Sequence, residues 1–182
     1  MFNRIRHMSA GFLIVTGLLF GANAALANIE DSPFKNLEST RVHGTIVDVA
    51  VGNPQFSTLV AALTAADLVT TLQGKGPFTV FAPTNAAFSK IPAPILNYLL
   101  SNPAALKQVL LYHVAPGVKE LGFAFFPQVI GTVQGQKVFA RIALKGNVAT
   151  LSVNNSSVIL RPIRTDNGII YVIDSVLQPQ FR

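Results

Sequence analysis

The run Ile169-Ile170-Tyr171-Val172-Ile173 constrains this chain more than any other segment, because it carries no charge and its only polar side-chain atom is the Tyr171 hydroxyl. Side chains of a strand point alternately to its two sides, so an uninterrupted apolar strand is read as buried on both faces. The preceding Asp166-Asn167-Gly168 is a hairpin-turn signal. The pattern before this point has two regimes. From Gly44 to about Leu110 the apolar residues recur mostly at three and four, the helical spacing; from Gly131 onward they sit in short runs separated by turn residues. Helices first and then a series of mostly antiparallel strands define an α+β domain.

Within the helical half, Thr45–Val51 is read as a short helix, with a strand as the alternative, ended by Gly52-Asn53-Pro54. Phe56, Leu59, Val60, Leu63, Ala66, Leu68, Val69 and Leu72 follow as one amphipathic helix, closed by Gly74-Lys75-Gly76-Pro77. Phe78–Ala82 is a strand threaded between helices. Pro83 ends it, and Thr84 is placed to N-cap the helix Asn85–Lys90. Helices beginning at Pro92/Pro94 and at Asn102-Pro103 complete this half. In the second half, strands are expected around Val133–Leu144, on either side of Asn154-Asn155-Ser156-Ser157, and at Ile169–Ile173.

The first 27 residues have the layout of a secretory signal peptide: Arg4, Arg6 and His7, then the apolar Ser9–Gly21, then Ala25-Leu26-Ala27. A retained anchor is the alternative, since Met8–Ile29 is uncharged and about 20 residues span a bilayer. The expected organisation is residues 1–27 signal peptide, 28–42 flexible leader and 43–180 one domain. Removing 27 of 182 residues leaves 155, enough to bury about 70% of the unfolded surface in one core. The chain contains no cysteine, so an exported form would fold without disulfides. The net charge is +6; without Arg4 and Arg6 the 14 basic residues fall to 12 against 8 acids. The bases are scattered singly and do not alternate with aromatics, which speaks against nucleic acid as a partner.

Three segments in order, GPFTVFAPTNAAF (Gly76–Phe88), LLYHVAPG (Leu110–Gly117) and NGIIYVIDSVLQP (Asn167–Pro179), resemble the two signature segments and the Tyr-His motif of the fasciclin (FAS1) domain. The resemblance spans about Thr40 to Pro179, nearly all of the expected mature chain. It implies a helical N-terminal half packed on a wedge of about seven mostly antiparallel strands. It also implies a non-enzymatic secreted or periplasmic protein, of the single-domain bacterial type, acting in adhesion or surface and matrix interaction. The implied partner is an envelope or host surface protein or polysaccharide, with no membrane span after signal cleavage. A binding module for a small apolar or glycan ligand is the alternative.

No motif for catalysis is present: there is no GxSxG, HExxH or phosphate-binding glycine loop. No cofactor is expected. No metal site is expected either, because His43 and His113 have no carboxylate paired with them in sequence. Phe78, Phe81, Thr84, Asn85, Phe88, Asn167, Gly168 and Asp174 are read as structural, with Asp174 accepting backbone N–H groups after the last strand. Tyr112 and His113, which the resemblance connects with integrin-dependent adhesion in animal members, are candidate partner contacts; their aliphatic neighbours argue equally for buried rings with satisfied polar tips. Some animal members carry an Asp-Ile pair before the last signature. Here Pro162-Ile163 stands there, lacking the acid. Phe123, Phe125 and Phe126, in the connection Leu121–Ile130, are candidates for a partner patch or for a lid on the core.

Overall fold

The computed structural model describes residues 40–121, 127–145 and 148–180. Six helices precede most of the strands: α1 (Ile46–Val51), α2 (Ser57–Ala65), α3 (Val69–Gln73), α4 (Asn85–Ser89), α5 (Ala93–Ser101) and α6 (Pro103–Tyr112), with a 3-10 turn at Pro54–Phe56. The strands are β1 (Thr40–Arg41), β2 (Phe78–Pro83), β3 (Val114–Pro116), β4 (Gln128–Gly131), β5 (Lys137–Lys145), β6 (Val148–Val153), β7 (Ser156–Ser157), β8 (Ile163–Thr165) and β9 (Gly168–Ile173). They form a sheet ordered β1-β8-β9-β2-β3 and a second ordered β4-β5-β6-β7. The architecture is the α+β arrangement expected. Among the described residues nine strands stand where about seven were anticipated. Five of the seven ladders are antiparallel; β2–β9 and β1–β8 are parallel.

The molecule has three layers, and β9 and β2 form the middle of the central one. Ile170 and Val172, with Val80 and Ala82 of β2, pack on the helices. Ile169, Tyr171 and Ile173, with Phe81, pack on Val138, Ala140, Leu151 and Val153 of the second sheet. Every residue of β9 is buried, which is the two-sided burial its sequence requires. A bridge between Val158 and Ile173 joins the two sheets.

Two glycines permit the close approach of β2 and the β8–β9 turn. A Cβ on Gly168 would meet the Phe78 carbonyl, and one on Gly76, at φ +52°, would meet the Asn167 carbonyl. No larger residue fits either place without displacing backbone.

The structure corrects two boundaries. The amphipathic run Phe56–Leu72 is not one helix. It breaks at Asp67, whose φ is +53°, because Leu68 N–H bonds the Leu63 carbonyl and Asp67 N–H bonds that of Thr64, the Schellman ending of a helix. The leader also yields its last residues to the fold. Thr40 and Arg41 pair in parallel with Ile163 and Arg164, so the sheet begins before residue 43.

Candidate functional site

Tyr112 ends α6 and His113 caps it. Both rings are buried, at 4% and 2% exposure. The Tyr112 hydroxyl donates to the Lys137 carbonyl at 3.1 Å and accepts from Asn154 Nδ2 at 3.0 Å, tying the last helix to the second sheet. His113 Nε2 accepts the Leu177 backbone N–H at 2.9 Å. That fixes the tautomer: the proton sits on Nδ1, which lies 2.7 Å from the Val109 carbonyl and donates to it. Burial lowers the imidazole pKa to about 4, against the opposing effect of the Val109 bond. His113 is therefore neutral at pH 7, and it clamps the chain beyond β9 onto the end of α6.

The other signature residues are also internal. Thr84 accepts the Ala87 N–H as cap of α4. Asn85 accepts from Thr58 N–H and donates to the Pro54 carbonyl and Ser57 Oγ, fastening α4 to the start of α2. Phe81 is fully buried and Phe88 nearly so, while Phe78 is half-buried. Phe81 lies 5.9 Å from the Tyr171 ring. Asn167 accepts from Ile46 N–H and donates to the Leu72 and Gly74 carbonyls. Tyr171, its pKa raised to about 12 by burial, donates to the Lys119 carbonyl and accepts from Leu121 N–H.

Asp174 accepts from Ser157 N–H at 2.9 Å and from Ser175 Oγ, and meets Lys90 at 3.4 Å. Its partial burial works to raise the carboxyl pKa, but these bonds and Lys90 outweigh that and hold it below the ordinary value. Among the described residues no buried side-chain nitrogen or oxygen lacks a partner, and no three His, Cys, Asp or Glu side chains gather as a metal site would need. Phe123, Phe125 and Phe126 lie outside the described residues.

Among the recesses of the described residues, two differ sharply in character. One is an open groove of about 990 Å³ on the outer face of the second sheet. Its floor is β5, where Lys137, Phe139 and Arg141 alternate outward while Val138 and Ala140 point into the core. Asn154 flanks it, and its own position is fixed: its Oδ1 accepts the Phe139 N–H and its N–H donates to the Phe139 carbonyl. Gln136 is held by two bonds to the backbone of Gln180. The second recess is apolar. A cavity of about 280 Å³ between α2, α5 and α6 reaches His113, and it shares Ile91, Leu99, Val109 and Val176 with a shallower groove of about 370 Å³.

Of the sequence candidates, Tyr112 borders the polar groove and His113 the apolar cavity. The two neighbours in sequence thus border different recesses. Sequence reasoning overlooked the groove floor, although the spacing Lys137-x-Phe139-x-Arg141 at the start of a strand was the available signal.

The family model described as Fasciclin domain matches residues 54–179. Protein sll1483 of Synechocystis sp. is 39% identical over 174 residues, covering 92% of this chain and 94% of that protein. The cell surface glycolipoprotein MPB83 of Mycobacterium bovis is 37% identical over 139 residues, covering 74% of this chain and 60% of that protein. Among solved structures, a FAS1 domain pair from the insect cell adhesion molecule Fasciclin I superposes with a TM-score of 0.59 at 18% identity, over 69% of this chain and 46% of that one, a likeness of fold. The matched span covers more than two thirds of the chain and takes in the α6 junction, every strand after β1 and the signature segments, and on that basis this protein belongs to the fasciclin-domain family.

Proposed function

We propose that this protein is a non-catalytic module, secreted or periplasmic, that mediates adhesion or surface interaction. The observation that carries this reading is the contrast between the inside and the outside of the domain. The polar side chains one would suspect of chemistry, His113, Asn167, Tyr171 and Asp174, are committed to holding backbone. The polar recess is instead an open groove on a sheet face, shaped for contact with something large. The cell-surface description of one relative and the adhesion-molecule description of the fold's neighbour support the same reading. The partner would be an envelope or host surface protein or polysaccharide. In this reading the amino-terminal segment directs export and is removed after Ala27. The exported protein should begin at Asn28 on N-terminal sequencing, and it should be retained on isolated cell envelopes after washing. A protein that begins at Met1 and stays in the cytoplasm, or that no envelope fraction retains, would end the proposal.

The apolar cavity beneath α5 favours a second reading, a carrier or sensor of a small apolar ligand. Native mass spectrometry of the purified chain separates the two. A co-purifying apolar molecule displaced by Leu99→Trp would favour the second; its absence favours the first.

A further inference from the structure

We infer that the outer face of the second sheet is a binding site for an acidic oligosaccharide, with Phe139 as the stacking platform and Lys137 and Arg141 as the anion contacts. This inference rests on the reading of the protein as a surface-interaction module and names the partner class and the residues.

Phe139 is 54% exposed on a strand whose inward neighbours Val138 and Ala140 are at 0% and 2%. Directly across the ladder stands Val129, 56% exposed. A phenylalanine and a valine paired on the water side of a sheet form an apolar platform with no core to cover. The platform is small and rimmed by polar groups, which suits one face of a sugar ring better than a protein interface, where a broad apolar centre would be needed. The C–H groups of a pyranose present such a face, while its hydroxyls point outward in the ring plane.

The rim matches that second requirement. Asn155, Gln178 and Gln180 border the groove as exposed amides, able to donate and accept at once, as hydroxyls do. Asn154 and Gln136 are locked by their bonds to Phe139 and Gln180, so this part of the groove wall is held in place before a ligand arrives.

Charge selects among sugars. Lys137 and Arg141 lie two residues to either side of Phe139 on the same face. Alternate residues of a strand are about 7 Å apart, so their Cα atoms are about 13 Å apart with the ring between them. Both are exposed, and neither has an ion-pair partner among the described residues. Among the described residues no Asp or Glu lines the groove. A neutral glycan would leave these two cations without use; a chain bearing carboxylates or sulfates on the sugars beside the stacked one would engage both. Arg141 can take a carboxylate through two parallel N–H bonds. Extended anionic chains without rings would satisfy the charges and leave Phe139 idle, which separates this ligand class from an acidic peptide.

The test is a titration of the isotope-labelled full chain with oligogalacturonate, followed by NMR, beside a neutral galactose oligomer, poly-glutamate and vesicles containing anionic lipid. Oligogalacturonate should shift the amides of residues 137–141, 154 and 155. Arg141→Ala and Phe139→Ala should each weaken binding about tenfold without lowering the melting temperature, and Phe139→Leu should do the same by removing the ring but not the apolar bulk. The neutral oligomer and poly-glutamate should each bind about tenfold more weakly than oligogalacturonate. The inference is overturned if oligogalacturonate fails to bind, if its affinity is unchanged by these substitutions, or if poly-glutamate or the vesicles bind equally well at the same residues. Envelope retention distinguishes this failure from that of the underlying reading: retention undiminished by Phe139→Ala would leave the surface-interaction reading standing and this site refuted.

Discussion

Asn167 shows how one side chain can hold three elements. Its amide is buried at 6% exposure, with Oδ1 receiving the Ile46 N–H at 2.9 Å and Nδ2 reaching the Leu72 and Gly74 carbonyls at 2.8 and 2.9 Å. It therefore supplies a partner to the first N–H of α1 and to carbonyls at the end of α3, groups that helix termini leave unpaired. Removing it would strand those groups away from water. Asn167→Ala should lower stability by about 3 kcal/mol, as measured by denaturant unfolding. Asn167→Asp should be at least as damaging, because a carboxylate keeps the Ile46 contact but turns a negative oxygen towards two carbonyls. If the aspartate variant were as stable as the native chain, the assigned donor and acceptor roles would be wrong. The sequence marked Asn167 as part of a hairpin turn, which it is. Its hold on Leu72 and Gly74, some ninety residues away, depends on tertiary approach and has no local sign.

Elements were legible where a local rule decided them. Thr84 capping α4, Asn102 capping α6 and the Asp166-Asn167 turn all follow from residues next to one another. The break between α2 and α3 was not legible. Ala66 and Leu68, both buried, keep the helical spacing running straight through Asp67, and no glycine announces the stop. Nor could periodicity reveal that β2 and β9 run parallel, since pairing is set by how the chain returns. The groove was half legible: alternation on β5 is in the sequence, but the neighbours that rim it come from distant segments.

The α2–α3 break yields a prediction with two signs. Asp67 is exposed and sits at the left-handed position of the Schellman ending, where glycine is free of side-chain strain and a β-branched residue is not. Asp67→Gly should raise stability by about 0.5 kcal/mol and Asp67→Val should lower it by about 1 kcal/mol or more. Equal stability of the two would mean that the helix does not end in this way.

At the scale of the whole molecule, His113 makes folding depend on pH. The layers are closed at one end by the segment after β9, where Leu177 is buried and its N–H bonds His113 Nε2. That bond exists only while Nε2 is unprotonated. Burial depresses the imidazole pKa from 6.5 to about 4 in the folded protein, so over the interval between those values the unfolded chain takes up a proton that the folded one refuses. Stability is therefore full above pH 6.5 and falls as the pH drops towards 4, by about 3 kcal/mol in all. Asp48 and Asp174, whose carboxyl pKa values are lowered by their hydrogen bonds, add their own loss only below that window, as they become protonated. The three groups can thus be separated by where the loss occurs. Thermal melts of the native chain should decline steadily from about pH 6.5 to pH 4.5, whereas His113→Gln, less stable at pH 7 because the clamp is weakened, should have a nearly flat profile over the same range. Hydrogen exchange should show the Leu177 amide losing protection first as acid is added. A native profile as flat as that of the glutamine variant would mean that His113 charges freely in the folded state, and that the contact between α6 and the closing segment does not depend on a neutral ring.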